Sequence, residues 1–274
     1  MLYFLSLSRS GYRMFLHRRL AATWQQKEAR KAQIQHVYEN SHQLYGAPKI
    51  THILQQQGIR IAERTVGVYM KELGIRARWV KPWIATTCHS DFSTQLRNLL
   101  QQQFAPVHPN TVWCTDITYI WTQQGFVYLT CIMDLFSRKI IAWTLSRSLA
   151  VTAVVSTIQK ALAIRPCKPQ IIHSDRGSQF VSQAYIQATQ GIQRSYSRKA
   201  YPYDNACIES FHALLKREWL NQYTILDYGH AHRLVFEYIE AFYNTIRIHS
   251  HCNYLSPQEY EKQYNKTKVL PTTA

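Results

Sequence analysis

Three acidic residues occupy positions where a carboxylate needs a reason to be. Asp116 interrupts a strongly β-prone run, Val112-Trp113-Cys114-Thr115-Asp116-Ile117-Thr118-Tyr119-Ile120. Asp175 ends the short apolar run opened by Ile171 and Ile172, just before a turn at Gly177 and Ser178. Glu209 follows 34 positions after Asp175, in a stretch from Ala206 to Leu220 that contains neither Pro nor Gly. Asp204 and Asn205 are good helix-capping residues, so this stretch predicts a helix. An unpaired carboxylate in a central strand is costly unless it faces a cation. α/β sheets place ligand-binding residues where strands end. Two acids leaving strands and a third on a helix therefore point to a site for two divalent cations, Mg²⁺ or Mn²⁺, and to phosphoryl chemistry. His212 and Lys216, three and seven residues after Glu209, share its helical face, which brings Lys216 toward a phosphate backbone.

Each acid alone has an ordinary alternative: a structural ion pair for Asp116, a turn cap for Asp175, a solvated helix face for Glu209. Their combination carries the argument. Asp134, near another strand end, reads as a turn or structural residue. The pairs His230/His232 and His249/His251, with Cys252 alongside, have no second half at ligand spacing and do not make a zinc motif.

The charge balance names the partner. The 274-residue chain carries a net charge of +16. Residues 1–100 hold 15 Lys/Arg against 5 Asp/Glu, so the excess is concentrated upstream. Such a surplus suits a polyanion, with nucleic acid leading because phosphate neutralisation dominates that binding. No apolar run approaches the roughly 18 residues of a membrane span. Six scattered cysteines without a C-x-x-C pair fit a reducing compartment, and the apolar opening MLYFLSLSRS has no preceding charge, the wrong layout for a signal peptide. The expected location is cytoplasmic, on the nucleoid.

Four segments emerge. Residues 1–75 read as helical and basic, with two short amphipathic helices around Gly58 (Ile50, Ile53 and Leu54 on one; Val66, Tyr69, Met70 and Leu73 on the next) in the manner of a helix-turn-helix. A plain helical hairpin is the alternative. Residues 76–109 read as a linker in which Arg76, Arg78 and Lys81 mix with Trp79 and Trp83, a combination suited to nucleic acid. Residues 110–222 give three antiparallel strands, then alternating helix and strand, including a helix from Ser178 to about Thr189. Residues 223–274 add one long amphipathic helix carrying Leu234, Val235, Tyr238, Ile239 and Phe242 on one face, then a tail. The fold class is α/β: a ribonuclease-H-like core, a mixed five-stranded sheet flanked by helices, preceded by a small all-α helix-turn-helix segment. Candidate DNA contacts are Lys216, His212, Arg198 and Lys199 in the core, and Arg64, Lys71, Arg76, Arg78 and Lys81 upstream.

DITYI, MDLFSRKI-x-A-W, HSDRGSQF, SRK-x-x-x-YDNA-x-x-ESF-x-x-LK-x-E, YN-x-x-R-x-H and SP-x-x-Y, in that order, resemble the second-reading-frame protein of IS3-family insertion-sequence transposases. That family has a DDE integrase core related to retroviral integrases. The resemblance runs from about Leu7 to Tyr260. It implies that Asp116, Asp175 and Glu209 are the metal-binding triad, and that water-driven nicking of an element end precedes attack by the freed 3′-hydroxyl on another DNA strand. It also implies a partner, an upstream-frame protein with a helix-turn-helix and leucine zipper, joined as a frameshift fusion, and a homo-oligomer on DNA. Alternatives are a binding protein that only occupies element ends and a nuclease that cuts without joining. The sequence departs from the family pattern in a shorter Asp175–Glu209 gap near Tyr185–Gly191, in Ala200 for a common Gly, and in Asn253 for another, where Asn tolerates left-handed backbone.

Overall fold

The run Val112–Thr122 alternates β-branched and aromatic residues and forms β1, the strand on which the sheet is built. A turn at Gln123 and Gln124 reverses the chain, and Gly125 takes φ +112°, a value only glycine adopts readily. β2 (Gly125–Asp134) and β3 (Ile140–Ser146) complete an antiparallel meander. α5 (Val151–Ile164), named after four upstream helices described below, then crosses over to β4 (Ile171–Ser174), which lies parallel to β1. α6 (Gln183–Ala188) leads to β5 (Gln193–Tyr196), parallel to β4. The strand order is β3-β2-β1-β4-β5, the mixed five-stranded sheet expected. These coordinates come from a computed structural model, in which residues 8–16, 22–78, 96–199 and 201–269 are described.

α5 and α6 cover one face of the sheet. Trp113, Ile132, Val154, Ile158, Ala161, Ile172, Phe180 and Tyr185 form that core, all nearly or wholly excluded from water. α7 (Ala206–Glu218) and α8 (Tyr228–Phe236) cover the other, where Phe211 meets Tyr243 edge to face with centroids 4.7 Å apart. The expected single long helix is instead an α-helix that widens into a π-helical turn over Glu237–Tyr243. Tyr238, Ile239, Phe242 and Tyr243 all turn inward along this stretch, the face an amphipathic helix would also bury. α9 (Pro257–Val269) follows.

Three local expectations are corrected. The helix expected from Ser178 starts only at Gln183, because Ser182 is the cap and its hydroxyl accepts Tyr185 N–H at 3.2 Å. Asp204 and Asn205 precede α7 without capping it through their side chains; a 3₁₀ turn, Pro202–Asn205, leads in instead. Residues 96–100, expected to be linker, run along β5: Tyr196 donates to the Arg97 carbonyl, and Leu99 and Leu100 N–H donate to Ser195 Oγ. Asn253 adopts φ +52°, the left-handed backbone expected of it.

The chain divides into two compact units, Met1–Arg78 and Trp79–Ala274. In the first, α1 (Arg9–Leu16) and α2 (Ala22–Asn40) precede α3 (Ala47–Gln56) and α4 (Glu63–Glu72). Pro48 sits in the first turn of α3, where its missing N–H is harmless. Ile50 and Leu54 of α3 and Val66 and Met70 of α4 are buried with Ile34, Val37 and Tyr38 of α2, while Ile53, Tyr69 and Leu73 line the edge of that core. No helix among the described residues is long and apolar enough to cross a membrane.

Candidate active site

The register of the sheet places the two aspartates. β1 and β4 pair in parallel from Val112↔Ile171 to Cys114↔His173. Asp116 and Asp175 each lie two residues beyond the last pair, so they stand at the same level on neighbouring strands, where the sheet opens. Asp175 is fixed by its turn, since Gly177 N–H donates to its Oδ1 at 2.9 Å. A Cβ at Gly177 would sit 3.0 Å from that same oxygen, so a larger residue there would press on the carboxylate.

Below Asp175 lies a network that sequence reasoning missed. His173 is buried, with Nδ1 2.8 Å from Ser195 Oγ and Nε2 3.1 Å from Ser197 Oγ. Ser195 already accepts the Leu99 and Leu100 N–H groups, so its own proton goes to Nδ1. Burial lowers the imidazole pKa to about 4 and keeps it neutral, stapling β4 to β5 under the site. Its only sequence signal was a His between apolar residues and the acid.

α7 brings in the third acid. His212 Nδ1, three residues after Glu209, is 3.3 Å from Asp116 Oδ2, so this face of α7 lies against β1 beside the aspartate. α6 and a turn at Gly191, φ +80°, occupy the stretch where the family resemblance implies a shorter gap. The electrostatics report the same proximity. Asp175 is pushed up to about 6, first by burial and then by Asp116, against the Gly177 N–H. Glu209 is pushed up to about 7 by burial, then by Asp116 and Asp175, although its outer side is exposed and water screens part of that repulsion. Lys216 is held below its ordinary value by burial, which outweighs the attraction of Asp116. Among the described residues no three His, Cys, Asp or Glu side chains are gathered closely enough to hold an ion as they stand. The donor set nonetheless suits a hard divalent cation: three carboxylates from three parts of the chain, Asp175 and Glu209 raised by burial and by their acidic neighbours, and none matched by an arginine among the described residues.

The expected DNA contacts fall in different settings. His212 is only 5% exposed, so it contacts Asp116 and not solvent. Lys216 is half-buried on the same helix face. Arg198 is engaged: its N–H, Nε and Nη2 donate to Asp204 at 2.9–3.0 Å, and its guanidinium lies over Tyr201 at 4.0 Å. Lys199 is exposed. In the N-terminal unit Arg64 and Lys71 project outward from α4, Arg76 is exposed, and Arg78 donates to Gln43 Oε1 at 3.2 Å. Lys81 and Ala200 lie outside the described residues.

Known proteins resemble the chain along most of its length. Residues 106–202 and 190–257 match models of the integrase core domain, and residues 25–83 match an HTH-like domain. The transposase for insertion sequence element IS904 of Lactococcus lactis is 36% identical over 91% of this chain and 100% of its own. Transposase InsF for insertion sequence IS3A of Escherichia coli is 33% identical over 94% of this chain and 92% of its own. In fold, the chain is similar to a simian T-cell lymphotropic virus intasome structure, at 15% identity and TM-score 0.50, over 88% of this chain and 76% of that one. Matches to the integrase core domain and an HTH-like domain, with these transposases aligned over more than nine-tenths of its length, show that the chain belongs to the IS3-family insertion-sequence transposases.

Proposed function

We infer that this transposase binds the ends of its insertion sequence and catalyses metal-dependent DNA cleavage followed by 3′-hydroxyl strand transfer, with Asp116, Asp175 and Glu209 as its catalytic carboxylates. The observation that carries the reading is the proximity of the three acids at one open end of the sheet, close enough that Asp116 raises the proton affinity of Asp175 and both raise that of Glu209. In this reading the three carboxylates hold two Mg²⁺ or Mn²⁺ ions. Such ions, when bound, supply positive charge where phosphoryl transfer develops negative charge. Asp116 and Asp175, set at one level by β1 and β4, would hold the ions from the sheet side, and Glu209 would hold them from α7. Lys216, half-buried two turns along the same helix, meets the DNA backbone beside the acids. The exposed Arg64 and Lys71 of α4, with Arg76, Arg78 and Lys81 after it, position the duplex through its phosphates, and Lys199 adds a cation beside the core. Pairing two element ends calls for a homo-oligomer on DNA. An upstream-frame helix-turn-helix and leucine-zipper partner, as a frameshift fusion, completes the machinery in the bacterial cytoplasm.

The test is nicking of supercoiled plasmid by the full chain in Mn²⁺, wild type beside Asp175→Asn. Nicking that requires the metal and disappears in the variant supports the carboxylate site. Equal nicking by both proteins would overturn it. Oligonucleotide element ends then separate the outcomes further: joined strands mark a transposase, and cut ends without joining would reduce the function to a nuclease.

A further inference from the structure

Among the described residues, His212 is a polar side chain at the acidic site that the proposed chemistry leaves without a task. Its ring is 5% exposed and tilts against Phe211 with centroids 5.5 Å apart, so packing sets its orientation. Nδ1 lies 3.3 Å from Asp116 Oδ2, at the long end of hydrogen-bond reach, and Nε2 is buried with no hydrogen-bond partner. A buried imidazole with an orphaned nitrogen is costly, and leucine would fill this helix position more cheaply. The contact with Asp116 is what the imidazole provides that leucine cannot.

We propose that His212 is the positioning residue for Asp116: its Nδ1–H donates to Oδ2, sets the rotation of the carboxylate, and leaves Oδ1 directed toward Asp175 and Glu209. This rests on the reading of the three acids as an ion-holding set. The terminal torsion of an aspartate is soft, and repulsion from two neighbouring carboxylates turns an unanchored Asp116 away from them. A donor on one oxygen removes that freedom before any cation arrives. His212 is not itself a ligand through Nδ1, because a nitrogen facing an anionic oxygen needs a proton between the two. Spaced three residues from Glu209, it makes α7 deliver the third acid and orient the first in one packing event.

The experiment titrates full-length protein with Mn²⁺ in the absence of DNA and follows free Mn²⁺ by electron paramagnetic resonance. His212→Phe keeps the ring and removes the donor. His212→Asn returns an N–H near the Nδ1 position, and His212→Gln offers one further out. Outer-sphere partners of metal ligands typically contribute about 10–100-fold in affinity, so His212→Phe is expected to weaken Mn²⁺ binding at least ~10-fold at unchanged melting temperature. His212→Asn is expected to recover most of that loss, and His212→Gln little of it. Wild-type affinity in His212→Phe, or equal affinity in the Asn and Gln variants, would overturn the positioning role. Should the Phe variant fail to fold, the Asn and Gln pair still decides. Asp175→Asn separates the two levels: if it also binds Mn²⁺ like wild type, the acidic site itself is misread; if it alone loses Mn²⁺, only the role of His212 falls.

Discussion

Apart from Asp134, which is buried and held by the Asn110 and Phe136 N–H groups, the core contains two kinds of buried acid, and they are handled in opposite ways. At the C-terminal end of α7, Glu218 accepts Arg247 Nε and Nη2 at 2.7 Å each and the Tyr238 hydroxyl at 2.7 Å. Glu261 accepts two N–H groups of Arg165 at 3.0 and 2.6 Å and the Ser137 hydroxyl at 2.7 Å. Burial alone would push Glu261 up, but Arg165, Ser137 and Lys139 bring it below the ordinary carboxylate range. Asp204 is likewise held low, by Arg198 first. Asp116, Asp175 and Glu209 are also partly withdrawn from water, yet among the described residues the titratable basic groups beside them are His212 and Lys216, and no arginine pairs with them. The fold therefore supplies matched cations where acids hold elements together, and withholds them at one end of the sheet. Charge left uncompensated by the protein is charge available to something from solution.

Two substitutions probe the two sides of that contrast. Glu209→Gln keeps the shape of the acidic site and removes one charge. Losing several kcal/mol of electrostatic stabilisation corresponds to roughly three decades in rate, so plasmid nicking is expected to fall about 10³-fold, with far-ultraviolet circular dichroism unchanged. Retained nicking would assign the chemistry to other residues. Arg247→Met leaves Glu218 buried without its partner and untethers the end of α7 from the segment after the π turn. Breaking a buried pair on one side costs about 3–5 kcal/mol, which urea unfolding would read as a lower midpoint. A loss within error would mean that Tyr238 and water suffice for Glu218.

Much of this contrast was legible beforehand, for physical reasons that differ by residue. Asp116 was visible because an acid within a β-branched and aromatic run contradicts its surroundings, and Asp175 because an apolar run ended at it before a glycine. The sheet followed from period-two patterning with turn residues between strands. What was hidden depended on register or on competition. His173 could be given its serine partners only once β4 and β5 were aligned, and His212 shared a face with Glu209 without revealing whether that face looked outward. Asp204 was expected to cap α7, but Arg198 and Gln102 took its oxygens. The π turn in α8 keeps the same inward residues as a regular helix, so the pattern alone could not show it.

The smallest expected effect is also the one whose sign separates the two kinds of acid most sharply. A carboxyl raised in the folded state binds its proton more tightly folded than unfolded. Its contribution therefore declines as pH rises from the unfolded value, about 4, through the folded values of about 6 for Asp175 and about 7 for Glu209. Glu261 has the opposite sign: its contribution is present above the unfolded value and is lost as pH falls through its lowered folded value. In metal-free protein, Asp175→Asn removes one of the repelling charges. It is expected to be more stable than wild type at pH 8, by on the order of 1 kcal/mol after solvent screening, and the advantage is expected to shrink toward pH 5, where wild-type Asp175 is itself protonated. Glu261→Gln is expected to destabilise at pH 8, because Arg165 loses its partner. Chemical denaturation of both variants at the two pH values checks the pair. If Asp175→Asn destabilises at pH 8 as Glu261→Gln does, Asp175 is an ordinary structural acid, and the open end of the sheet is no different from the rest of the core.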